Sequence, residues 1–248
     1  MPGPVRYVAP PPRPGAAARD GTSRKNNTLA VRWAIRLEVE GDLRFLSHHD
    51  MMRAVERTAR RARLPLRYTQ GFNPHPVMSL PHPRPVGVAS RDDLLVLELE
   101  TDAPPPPAEA GDLPARLNAA APRGMRFLDA RTLAGRGTPQ PAAARYELPL
   151  EPQQLPLVRR GLEELASLET WTVPRRVSAR GRRGGWSTRP IDLRPLVGEL
   201  RLDGQTLRMT LRPQGDLWAR PGEVLALLGL DERIDLARAV RAAVEYEP

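Results

Sequence analysis

All four histidines of the chain, His48, His49, His75 and His82, fall in one short stretch, and Asp50 stands beside the first pair. Imidazole and carboxylate together can bind a metal, do acid–base work or hold a phosphate. A strand–helix–strand–loop unit would bring His48 and His75 toward each other with Asp50 alongside, which makes these three the candidate catalytic residues. No tight metal spacing such as HExxH is present, so no metal-ligand set is assigned. The same residues have a structural reading. Ser47 followed three positions later by Asp50 approximates a capping box, with Ser47 accepting from a backbone N–H and Asp50 favouring the positive end of a helix.

Two further runs carry chemistry. Gln70-Gly71-Phe72-Asn73-Pro74-His75-Pro76 reads as a rigid loop, because Gly71 permits a positive φ while Pro74 and Pro76 fix theirs. It is either a structural turn with Phe72 anchored in the core, or a preformed binding loop that presents Gln70, Asn73 and His75 at low entropic cost. The second run holds Arg175, Arg176, Arg180, Arg182, Arg183 and Arg189, with Trp186 inside it and no acidic residue between Trp171 and Ile191. Guanidinium groups beside an aromatic ring suit RNA phosphates and base stacking, and Gly181, Gly184 and Gly185 point to a flexible loop. The alternative is a solvated loop. Asp192, just beyond, either pairs with one of these arginines or terminates the strand.

The elements that must hold these groups follow from periodicity. Residues 1–29, rich in Pro, Gly, Ala and Arg, read as a disordered tail. Val31, Trp33, Ile35, Leu37 and Val39 alternate as one strand face. Met51, Met52, Val55, Ala59 and Ala62 recur at helical spacing, with arginines on the other face and Pro65 as the stop. Residues 66–70, 93–100 and 124–133 read as strands, with a short helix around Leu113–Ala119. Strand, helix, strand, strand, helix, strand is the ferredoxin-like pattern. A linker at 134–144 leads to a second, less regular round over 145–248, with a hairpin turning at Asp203-Gly204 and a short helix begun by Pro221. The terminal segment from Asp231 fits helix or strand. The expected class is α+β, built as two tandem ferredoxin-like (βαββαβ) halves, 30–133 and 145–248.

Composition bounds the function. The chain has 248 residues and 38 basic against 29 acidic side chains, a net charge of +9. Such a surplus attracts phosphate backbones or acidic surfaces. Lys25 is the only lysine, and abundant Arg, Ala and Pro also accompany a GC-rich genome. There is no Cys, so this chain holds neither a disulfide nor a cysteine-ligated iron–sulfur cluster, and no cofactor is expected on it. No apolar run approaches a membrane span, and the N-terminus has no apolar signal core, so a cytoplasmic location is expected. There is no phosphate-binding Gly-Lys-Ser/Thr loop, dinucleotide fingerprint or GxSxG elbow.

Residues 41–90 carry a resemblance. RFLSH with the following Asp50, the basic helix ending in ARLPL, and QGFNPHP followed by PVGV resemble the radical SAM-linked family of small bacterial proteins. RPIDLRPLV (189–197) and RPGEVLALL (220–228) extend the match, while His49 stands where the family carries a Leu. Members are often fused to, or encoded beside, a radical SAM protein. The resemblance therefore implies an accessory or substrate-binding role beside a separately encoded radical SAM enzyme. The basic run adds RNA or a ribonucleoprotein as the expected substrate. An RNA-processing or RNA-modifying enzyme with His48 as acid–base is the alternative, by analogy with ferredoxin-like endoribonucleases.

Overall fold

The structure, a computed structural model, describes residues 29–101, 112–179 and 185–247. The tail before Leu29, and Arg180, Arg182 and Arg183, lie outside the described residues.

The alternating apolar face of strand β1 (Leu29–Val39) buries Trp33, Ile35, Leu37 and Val39. Helix α1 (His48–Arg61) covers that face with Met51, Ala54, Val55 and Ala59. Strand β2 (Met78–Ser79) is short, strand β3 (Ala89–Thr101) is long, and helix α2 (Asp112–Ala120) leads into strand β4 (Met125–Thr132). β1 pairs antiparallel with β3 on one side and β4 on the other, and β2 lies along β3, giving the order β4-β1-β3-β2. The turn into β4 needs Gly124, whose φ is +88° and whose missing Cβ would sit 2.6 Å from the Glu40 carbonyl oxygen.

The second half contains strand β5 (Pro141–Pro149), helix α3 (Leu155–Ser167), strands β6 (Thr172–Ala179), β7 (Gly185–Asp192), β8 (Val197–Asp203) and β9 (Thr206–Leu211), helix α4 (Pro221–Leu227) and strand β10 (Val240–Tyr246). Its main strands run β10-β5-β9-β8, all antiparallel, while β6 and β7 form a separate two-stranded ribbon. Each half has its own apolar cluster. A parallel pairing of Val240 with Ala89 and Arg241 with Ser90 joins β10 to β3, so one mixed, mostly antiparallel eight-stranded sheet runs through both halves. The fold is α+β.

Three local expectations change, and one open reading is resolved. The strand expected over 66–70 is reduced to bridges of Leu66 with Leu99 and Tyr68 with Pro76, because Pro74 and Pro76 supply no N–H to a ladder. The linker expected at 134–144 is shorter, since β5 starts at Pro141 and Arg32 fastens the carbonyls of Gly135 (2.6 Å) and Gly137 (3.0 Å). Of the basic run expected to be a flexible loop, Arg175, Arg176 and Arg189 lie on paired strands that run from Thr172↔Asp192 to Ala179↔Gly185. The C-terminal segment from Asp231, open between helix and strand, is a 3-10 turn at Leu236–Arg238 followed by strand β10, which pairs with β3 and β5.

Candidate functional site

Ser47 caps α1 as its spacing predicts: its hydroxyl oxygen accepts from the Asp50 N–H (3.2 Å), and its O–H donates to Asp50 Oδ2 (2.7 Å). Asp50 also meets Arg53 at 3.3 Å. The carboxylate is thus engaged within its own helix turn. His48 and His49 lie exposed with ring centroids 5.8 Å apart. Partial burial first, and His49 second, hold the His48 pKa below the usual imidazole value.

The structure does not bring His48 to His75. Residues 66–77 form a narrow hairpin, with Thr69 N–H donating to the His75 carbonyl (2.8 Å) and His75 N–H to Thr69 Oγ1 (3.0 Å). Tyr68 of this hairpin lies under Arg60, near the C-terminal end of α1. His48 opens the same helix, which is about 20 Å long. Gln70, Gly71, Phe72, Asn73 and His75 are exposed around the tip, where Gly71 has φ +135°. Phe72 is no core anchor: its side chain is fully exposed at 106%. The rigid, outward-facing hairpin remains. Among the described residues no cluster of three or more His, Cys, Asp or Glu could hold a metal ion.

The ribbon sorts the arginines by face. Arg175 is buried and bound at both ends: it grips Glu223 through Nε (2.6 Å) and Nη2, and it donates to the Trp218 carbonyl (2.9 Å). Arg176, next in line, points outward and lies over the Trp186 ring at 5.2 Å from its centroid. Trp186 is 69% exposed, so its ring face is open to solvent. Arg189 is exposed opposite Arg175. Among the described residues Asp192 pairs with no arginine; its carboxylate accepts from the Trp171 N–H (2.7 Å) and the Arg194 N–H (3.0 Å), closing the base of the ribbon.

At that base a cleft of about 520 Å³ opens between the two halves. Its walls include Arg84 from the first half, and Arg175, Arg176, Arg220, Glu223 and Glu232 from the second. Behind it lies a charge cluster that the residue types alone did not single out. Arg241 is 1% exposed and donates to Asp93 Oδ1 through Nε (3.2 Å) and Nη2 (2.6 Å). Arg84 stands 3.8 Å from the same carboxylate and holds the carbonyls of Arg44 (2.9 Å) and Val88 (2.7 Å). His82 packs at a tilt against Trp218, with ring centroids 4.5 Å apart. Burial, and then the Arg241 charge, push its pKa down to about 4 against a smaller upward pull from Asp93. The signal available in the sequence was the repeated Pro-Arg pairing: Pro83-Arg84-Pro85, Pro174-Arg175 and Arg220-Pro221 all meet at this cleft.

Residues 32–221 match the family described as an uncharacterized protein conserved in bacteria, DUF2344. The chain belongs to that family. The DUF2344 match runs from within β1 to the first residue of α4, so it takes in Ser47–Asp50, the hairpin, the ribbon and Arg84, and stops short of Arg241. No curated protein matches the chain. A crystal structure of an unknown protein from Galdieria sulphuraria aligns over 81% of this chain and 91% of its own, at 11% identity and a TM-score of 0.22; at that score it adds nothing to the DUF2344 fold described above.

Proposed function

We propose that this protein is a cytoplasmic accessory module that acts with a separately encoded radical SAM enzyme and presents RNA, or a ribonucleoprotein, to it. The observation that carries the RNA part is the exposed Trp186 ring with Arg176 across its face; Arg189, cross-strand from Arg175, is exposed on the other face of the ribbon. A flat aromatic beside a guanidinium takes a base on the ring and a phosphate on the charge, and it needs no sequence-specific contacts. The net charge of +9 supplies the longer-range attraction. The radical SAM part rests on the RFLSH, QGFNPHP and RPGEV words, and the chain, having no Cys, would leave the cluster to its partner. We read the two halves as ferredoxin-like repeats, supported by the parallel between β4-β1-β3-β2 and β10-β5-β9-β8. Among the described residues no helix is long and apolar enough to cross a membrane.

The test is binding of a labelled single-stranded RNA, followed by fluorescence polarisation across a salt series. The expected result is salt-sensitive binding that Trp186→Ala weakens by about 1–3 kcal/mol and that loses about one unit of salt slope with Arg176→Ala. Salt-insensitive binding, or binding indifferent to Trp186, contradicts the reading.

One observation favours an RNA-cleaving or RNA-modifying enzyme instead: His48 is exposed at the first position of α1, where a ligand in solvent can reach its ring. Asp50 is already engaged with Ser47 and Arg53, so it does not orient that ring. RNA products in the same incubation, absent with His48→Ala, would select this enzyme reading.

A further inference from the structure

We propose that the cleft between the halves is a phosphate-binding site, with Arg84 as its buried charge and Arg220 at its mouth. The site shares Arg176 with the ribbon, but it does not require that the ribbon bind RNA.

Two observations carry it. The first is an imbalance of buried charge. Asp93 is one carboxylate set against two guanidiniums, those of Arg84 and Arg241. The three side chains are 7%, 4% and 1% exposed respectively. Ser90 also donates to Asp93, drawing on the same carboxylate. Arg84 Nε and Arg241 Nη1 are buried without a hydrogen-bond partner. A surplus cation in a poorly solvated place is costly, and a second anion close by would offset that cost. Arg84 is a wall of the cleft, so the cleft is where such an anion can arrive.

The second observation is the charge of the cleft itself. Glu223 is neutralised by Arg175 and further engaged by the Arg220 N–H (2.9 Å). Glu232 then remains as the one unpaired carboxylate of the lining, against Arg84, Arg176 and Arg220. Arg176 and Arg220 have no ion pair among the described residues, and both are exposed. Planar, multiply donating guanidiniums fit phosphate oxygens better than a point charge does. Pro83, Pro85, Pro174 and Pro221 stiffen the walls, so little order remains to be imposed on binding. A phosphoryl group is therefore the ligand chemistry, whether it belongs to a free nucleotide or to an RNA chain.

The experiment uses the full chain and inorganic phosphate, with thermal midpoints and calorimetric titration at constant ionic strength. Phosphate should raise the midpoint saturably while chloride does not. Arg220→Ala changes an exposed side chain only and should weaken phosphate binding about tenfold, the loss expected of one charge-assisted contact. Trp186→Ala should leave phosphate binding unchanged, which separates this site from the ribbon. Competition by a mononucleotide and by a short RNA then identifies the source: equal competition points to a free nucleotide, and stronger competition by the oligomer points to the RNA backbone. No saturable phosphate effect, or one equal in the Arg220 variant, overturns the proposal. If RNA fails to bind while phosphate binds, the ribbon reading fails and this one stands.

Discussion

Arg175 and Arg176 are adjacent and have opposite surroundings, because a strand sends successive side chains to opposite faces. Arg175 and Glu223 form a buried pair, 7% and 13% exposed at their side chains. Removing one partner leaves a charge with nothing to balance it, so Glu223→Ala should cost about 3–5 kcal/mol in chemical denaturation, while Arg176→Ala should stay within about 0.5 kcal/mol. Equal effects would mean that the two arginines share one environment. The basic run was legible as residue types, but not the division of its labour: nothing in the order of the letters says that Glu223, far along the chain, claims one arginine. The same limit applied to Phe72. An aromatic between Gly71 and Asn73 in a proline-stiffened turn reads as an anchor, but the hairpin is closed by the Thr69–His75 hydrogen bonds and leaves the ring with no apolar surface to meet.

Among the elements, those with strong periodicity were readable. The alternation of β1 and the capped, one-faced α1 both come out close to their expected limits, because each buries a complete apolar stripe against its neighbour. β2 and β10 were not readable, since their pairing is decided elsewhere. β2 is a two-residue contact within the proline-rich segment, and β10 carries a fully buried Arg241 held by Asp93 and the His82 carbonyl. The turn between α2 and β4 tests how tightly that corner is set. Gly124→Ala adds a Cβ 2.6 Å from a backbone oxygen at a positive φ, so it should destabilise the fold by more than about 1 kcal/mol. An unchanged unfolding midpoint would mean that the corner relaxes freely.

At the scale of the whole molecule, the halves are joined by β3 and β10 and by the Asp93 cluster, with His82 and Trp218 packed across the same junction. His82 gives that junction a pH signature. Its folded pKa of about 4 lies below the ordinary 6.5, so between these values the unfolded chain binds a proton that the folded chain refuses. Stability should therefore fall as pH drops from 6.5 toward 4, by up to about 3 kcal/mol, and level off below. His82→Gln should flatten that portion of the profile; an unaltered slope would place the acid sensitivity in other groups. The proposed role makes its own demand on the intact molecule, since an accessory module is defined by what it brings together. The most direct measurement is recovery of the tagged, full-length protein from a lysate of its native cells, with and without nuclease, identifying both the proteins and the RNA that accompany it. The account predicts a radical SAM enzyme and an RNA species, with the RNA lost when Arg176, Trp186 and Arg189 are replaced together. Recovery of the protein alone would contradict it.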